Sequence, residues 1–412
     1  MADIQPFRAY RPRPDMAEKV ASPPYDVLNS DEARELAEGN PYSFLHVVKP
    51  EIDLSRGIDL YSDEVYKKGA ENLRALIHDG ILIRESDPAF YLYEQQMGDH
   101  IQIGIVAGAS VDEYKNDRIK KHELTRKKKE DDRTRHVESL NANTGPVFLT
   151  YQAQTDIDDL VSDLKSAPPA YNFTASDGIR HTLWVVENPI DVKRLSNAFR
   201  SVDFLYVADG HHRSAAGTRV CDIRREQNPS HKGNEPYNYF LSVIFPHNQM
   251  KILDYNRVVK DLGTLSPDTF LEKVRTSFDI EPFKKEKPDK PRTWTMLLDD
   301  RWYKLIAKPG SFPENDPVLS LDVAILQNNL LGPILGINDP RTDERIDFVG
   351  GIRGIDELEK RHHEGWALAV ACFPTSIDQL MSVADAGRTM PPKSTWFEPK
   401  LRSGLIVRPL YE

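Results

Sequence analysis

Cysteine is nearly absent: two in 412 residues, Cys221 and Cys372. Two thiols 151 positions apart, each among apolar neighbours, make neither a disulfide framework nor a zinc site; both read as buried thiols. Long apolar runs are missing too. No stretch reaches the length that spans a bilayer, and the opening Met1-Ala2-Asp3-Ile4-Gln5-Pro6 lacks the basic-then-apolar pattern of a signal peptide. The expectation is a cytoplasmic protein with no membrane partner. A basic excess is absent: 54 Lys and Arg face 64 Asp and Glu, a net charge of −10, which argues against a dedicated nucleic-acid binder. The familiar nucleotide motifs are also missing. No Gly-x-x-x-x-Gly-Lys-Ser/Thr occurs, which excludes a P-loop enzyme, and no Gly-x-Gly-x-x-Gly follows a strand-like run. No protein-kinase catalytic loop is visible.

What is present is a soluble composition, 39% hydrophobic and 29% charged, with length for two or three domains. Strand-like and helix-like segments alternate, which favours an α/β (α+β) fold with a mixed-sheet, layered core. Strands are expected at 44–48, 90–96, 101–110, 147–151, 182–186, from 203 up to the Asp209-Gly210 break, and at 237–245, with helices at 29–38, 61–79, 156–164, 190–200 and from 211 toward Arg225. Past Lys251 come a hairpin turning at Asp299-Asp300, a helix over 319–331, a buried strand at 367–374 and a long polar loop over 383–404. His362-His363-Glu364 reads as a solvated helix face, because adjacent His side chains point different ways.

The stretch on which chemistry concentrates is 203–217. An apolar run ends in Asp209-Gly210, a turn pair that tolerates positive φ, and His211-His212-Arg213-Ser214 then opens a helix. Strand, tight turn and helix N-terminus together bind phosphate, since the first-turn N–H groups lack helical partners and the dipole favours an anion. Arg213 adds a fork of donors and a fixed charge. His211 and His212 can donate hydrogen bonds or move protons near neutral pH. Asp209 can hold a metal or accept a proton. The bland alternative is an ordinary α/β junction whose paired His cap a helix. Near the N-terminus, the prolines of Pro23-Pro24-Tyr25-Asp26-Val27 hold an extended segment that presents Tyr25 and Asp26 together, as a pocket wall or as a plain edge.

Asp209-Gly210-His211-His212-Arg213-Ser214-Ala215-Ala216 resembles the signature of free-serine kinases of the ParB/sulfiredoxin-like superfamily. The chain as a whole resembles a bacterial and archaeal family long catalogued as a domain of unknown function. That likeness is carried by Pro6-Phe7-Arg8-Ala9, Pro23-Pro24-Tyr25-Asp26-Val27, Asn40-Pro41-Tyr42-Ser43-Phe44-Leu45, His122-Glu123-Leu124-Thr125, Asn143-Thr144-Gly145-Pro146 and Met390-Pro391-Pro392-Lys393-Ser394-Thr395-Trp396-Phe397.

The resemblance implies a ParB/sulfiredoxin-like catalytic region over 1–250 and a C-terminal α/β lobe over 251–412 that closes the active site. It implies a kinase transferring the γ-phosphate of ATP, with ADP as the alternative donor, to the hydroxyl of free L-serine with Mg²⁺. A homodimer is compatible with it. Gly210, His211, His212, Arg213 and Ser214 would hold the nucleotide phosphates, with Lys393 adding charge. Glu123, a carboxylate amid Lys and Arg, would stay ionised and serve as general base, with Asp26 and Asp209 as competitors. Asp26 and Asp209 are the Mg²⁺ candidates, and Tyr25, Asp26, Asn143 and Thr144 the acceptor-site candidates. Asp254-Tyr255-Asn256-Arg257 resembles a further family motif with Asn256 and Arg257 facing the pocket. Two other readings share the phosphate machinery: a nucleotide-dependent switch of the ParB type, and a kinase for another small polyol or amino alcohol.

Overall fold

The structure, a computed structural model, describes residues 2–411. The chain forms two compact units, Met1–Met250 with Pro399–Glu412, and Lys251–Glu398. The closing segment, expected with the C-terminal lobe, thus belongs to the first unit. Its backbone pairs there: Arg408 with Asn143, Val407 with Tyr10 and Ser403 with Ser22.

Nine strands make the first unit's sheet: β1 (Ile4–Gln5), β2 (Phe90–Met97), β3 (His100–Ser110), β4 (Ile119–Lys120), β5 (Val147–Tyr151), β6 (Tyr171–Thr174), β7 (Arg180–Val186), β8 (Leu205–Asp209) and β9 (Tyr239–Pro246). Their order is β4-β8-β5-β9-β3-β2-β7-β6, with β1 added on β3. Pairing is parallel at β4–β8 and β5–β9 and antiparallel elsewhere, the mixed sheet that the alternation of elements led us to expect. β2 and β3 form a hairpin at Gly98, whose φ of 59° suits the left-handed turn. The inner strands β5 and β9 are buried almost throughout, so they read as unbroken apolar runs rather than alternating ones.

Three helices flank the site: α1 (Asp63–His78), α2 (Lys127–Leu140) and α3 (His211–Gln227). α3 packs on α2 and against β5 and β9, and α2 packs on α1. One apolar cluster joins Ile105, Leu149, Ile244 and Val207 of the sheet to Ile157, Leu195 and Phe199. A second gathers Val20, Phe44, Leu45 and Leu73 with Val407 from the far end of the chain. The strand expected at 44–48 is instead a short helix, Leu45–Val48. Its β-branched composition suggested extension, but the Asn40–Ser43 turn starts a run of i→i+3 and i→i+4 bonds and Pro50 ends it.

The main sheet of the second unit has six strands: β10 (Tyr255–Val259), β11 (Phe278–Pro282), β12 (Thr293–Leu298), β13 (Arg301–Ala307), β14 (Ile346–Gly350) and β15 (Leu368–Cys372), in the order β11-β13-β12-β15-β10-β14. Every pairing in this sheet is antiparallel. The β12–β13 hairpin turns through Asp299 and Asp300 at φ 49° and 56°, the twist-matched turn for two residues. The loop expected over 383–404 is shorter: a helix runs to Asp385, and Trp396–Glu398 pairs with Lys251–Leu253. Among the described residues no helix is long and apolar enough to cross a membrane.

Candidate active site

Asp209 ends β8, where the register with β5 shifts between Val207 and Asp209. Gly210 follows at φ 96°, a left-handed conformation that lets the chain turn from strand into α3. No side chain among the described residues caps α3, which leaves its first N–H groups and its positive dipole end for an anion.

Arg213 lies in a slot made by two glycines. A Cβ on Gly210 would stand 3.1 Å from its Nε, and one on Gly145 3.3 Å from its Cδ. The side chain is 10% exposed. Its Nη1 donates to the Pro146 carbonyl, while Nη2 lies 3.4 Å from Asp26 Oδ2 and 3.7 Å from Asp209 Oδ1. Lys400 donates to Asp209 Oδ2 at 3.0 Å. Two carboxylates and two cations therefore meet at this junction. Burial opposes ionisation of Asp209, but Lys400 and then Arg213 outweigh it and hold the carboxyl below the usual range. Burial likewise opposes the Arg213 charge, and Asp26 and Asp209 outweigh it, raising its pKa.

Tyr25 is pushed up to about 12 by burial and by neighbouring Asp26, and the Arg133 guanidinium lies 4.0 Å from its ring centre. Arg133 pairs with Asp132 at 2.8 Å, and Asp132 accepts from the Tyr66 hydroxyl at 2.8 Å. Tyr25, Arg133, Asn143, Thr144 and Arg213 share the wall of a cavity of about 30 Å³, room for roughly one water molecule. Asn143 also accepts from the Leu241 N–H at 3.3 Å, which ties it to the β9 backbone.

The two histidines part ways. His211 is buried and meets the His122 ring edge-to-face at 4.4 Å between centres. Burial lowers His122 to about 4 and, with His122 beside it, takes His211 well below its ordinary value, so both imidazoles are neutral at pH 7. Glu123 Oε2 lies 4.0 Å from His211 Nδ1 on a side chain 46% exposed. His212 faces outward and accepts from the Arg126 N–H at 3.1 Å through Nε2; burial lowers its pKa against the pull of Glu130 and Asp26.

Ser214 is fully buried, with its hydroxyl bonded to the Gly210 and His211 carbonyls, so it turns into the helix and not toward an anion. Lys393 belongs to the second unit, where its ammonium lies 5.4 Å from the Tyr255 ring centre. Asn256 and Arg257, expected to face a pocket, are buried there: Asn256 bonds Asp254 and the Cys372 N–H, and Arg257 bonds the Tyr255 and Lys393 carbonyls. The sequence reading missed Lys400 and His122 as site residues. His122 carried a signal, since it opens the His-Glu-x-Thr stretch, whereas Lys400 is 191 positions from the aspartate it meets.

The fold is mixed α/β, and at its β8–α3 turn an uncapped helix N-terminus stands beside Arg213 and Lys400. Residues 4–324 match the family described as protein of unknown function (DUF1015), and the chain belongs to that family. No match was found among curated proteins. Similar solved structures include a free serine kinase variant in complex with ADP, at 11% identity and a TM-score of 0.37, covering 73% of this chain and 92% of that one. A conserved hypothetical protein from Pyrococcus furiosus gives 12% and 0.35, covering 73% and 95%. Truncated SbnI from Staphylococcus aureus gives 12% and 0.34, covering 74% and 87%.

Proposed function

We propose that this chain is a small-molecule kinase that transfers the γ-phosphoryl group of ATP to the hydroxyl of free L-serine, giving O-phospho-L-serine. The observation that carries the reading is the β8–Gly210–α3 junction, with an open helix N-terminus and Arg213 set beside it among Asp26, Asp209 and Lys400. Phosphoryl transfer asks for positioning and charge neutralisation more than covalent chemistry, and this junction offers both. The motif likeness to free-serine kinases supports the acceptor.

In this reading the N–H groups of His211 and His212 hold phosphate oxygens, and Arg213 offsets charge on the transferred group. The serine oxygen bonds to the γ-phosphorus, the bond to the bridging oxygen breaks, and Glu123 takes the hydroxyl proton. Asp26 and Asp209 converge on one guanidinium nitrogen, and their oxygens suit Mg²⁺, which would neutralise phosphate charge when bound. Incubation with L-serine, ATP and Mg²⁺, followed by phosphorus NMR, tests it. Wild type is expected to give O-phosphoserine, and Arg213→Ala to lower the rate by roughly a thousandfold or more. Product that survives Glu123→Gln moves the base to Asp26 or Asp209. ATP binding without product removes serine as the acceptor.

A further inference from the structure

Beside the phosphate junction lies a set of donors that Mg²⁺ does not favour. His122, Glu123 and His211 each offer one ligand atom, and the three atoms lie within 4.8 Å of one another. The geometry points to a binding site for one divalent transition-metal ion, of the zinc, cobalt or manganese class, held by these three side chains.

Three observations carry it. His122 is 2% exposed, and its Nδ1 is buried with no hydrogen-bond partner among the described residues. A buried ring nitrogen with no partner is an arrangement that native interiors avoid, and coordination of an ion would satisfy it. His211 is 4% exposed and also has a buried nitrogen, Nε2, without a partner among the described residues. Its Nδ1 faces Glu123 Oε2 at 4.0 Å, beyond hydrogen-bond reach.

Two imidazoles and one carboxylate suit zinc-like ions, whereas Mg²⁺ takes oxygen. Ligand bonds of about 2.1 Å at tetrahedral angles require donors roughly 3.4 Å apart. The ion would thus draw the three atoms together by about an ångström. Glu123 is the member that lies outside any helix or strand, on a half-exposed side chain, and its carboxylate would make the shift. One coordination position would remain for a substrate oxygen or water. The inference stands on these donors and not on the kinase reading. It does alter that reading in one respect: a Glu123 that serves as a ligand leaves the proton to Asp26 or Asp209.

The test is metal binding by the whole chain after chelator treatment. Cobalt(II) gives visible absorption that reports coordination number, and zinc is then titrated against it. Expected are one cobalt per chain with bands of a four- or five-coordinate site, displacement by equimolar zinc, and no displacement by millimolar Mg²⁺. Glu123→Gln, on an exposed side chain, should weaken binding about 10- to 100-fold, and His122→Gln and His211→Gln at least as much. Near-UV circular dichroism checks that each variant is folded; for a His variant that is not, the Glu123 result decides. Wild type that binds neither ion more tightly than millimolar overturns the site. Retained wild-type affinity in Glu123→Gln overturns it too. So does a larger loss in Asp26→Asn than in Glu123→Gln. Cobalt binding without serine phosphorylation would remove the acceptor and leave the metal site standing.

Discussion

Asp209 in the first unit and Asp322 in the second are the same residue type, both largely withdrawn from water, and they titrate in opposite directions. Burial raises both. At Asp322 little answers it: the Arg292 N–H donates at 2.7 Å, yet the carboxyl is pushed up to about 7. At Asp209 two cations answer it, and the carboxyl stays below its ordinary range. Burial sets the scale of the perturbation, and the neighbouring charges decide its sign. A carboxylate held ionised beside an open helix N-terminus is equipped for metal or proton chemistry. One driven toward neutrality is a structural group sensitive to pH.

The comparison can be broken most forcefully at Arg213. Arg213→Met leaves Asp26 without that partner and Asp209 with Lys400 alone. We expect a stability loss of about 3 to 5 kcal/mol in urea unfolding, besides the loss of phosphorylation. If the variant unfolds like wild type, the charges at the junction do not brace the fold.

Asp322→Asn comes next. The folded value near 7 lies above the ordinary 3.8, so the native state favours the protonated form. Its stabilising contribution is full below about pH 4 and is lost as pH rises through about 7. The difference is on the order of 4 kcal/mol, and the variant should flatten wild-type stability over that window. Denaturant midpoints at pH 5 and pH 8 check this; parallel shifts in both proteins would contradict it.

Lys400→Met should act more gently, by about 2 kcal/mol, because Arg213 still faces Asp209. Asp209 is depressed, so its contribution is present above the ordinary 3.8 and is lost as pH falls through the lower folded value. The variant should therefore begin acid unfolding at higher pH, while its behaviour between pH 6 and 8 changes little. Smallest is Gly210→Ala, at about 1 kcal/mol from the left-handed backbone. Because the new methyl would crowd the Arg213 guanidinium, phosphorylation should fall further than stability does. Gly57→Ala, also at positive φ but in open space, separates the two contributions.

Local pattern carried much of this into the sequence. The apolar run into Asp209, the Gly210 break and the helix after it are adjacent in the chain, so strand, turn and helix N-terminus were all legible. The Asp299-Asp300 hairpin was legible for the same reason. Distance in sequence hid the rest. Nothing near Lys400 announces that it will meet Asp209, and the equally cationic Lys393, seven positions earlier, lies in the other unit. Val47 and Val48 favour extension on their own; contacts with Val20 and the Asn40 turn hold them helical. His122 lies among charged residues, and its packing against His211 places it inside.

The return of residues 399–411 to the first unit also puts the site on a timetable. During synthesis Asp209 leaves the ribosome 191 residues ahead of Lys400. At ordinary elongation speeds that is a delay of roughly 10 to 40 s. In that interval the nascent first unit lacks the Val407 and Arg408 pairings, and Asp209 lacks its ammonium. The junction of Asp209 with Lys400 is thus assembled last, after the whole of the second unit has been made.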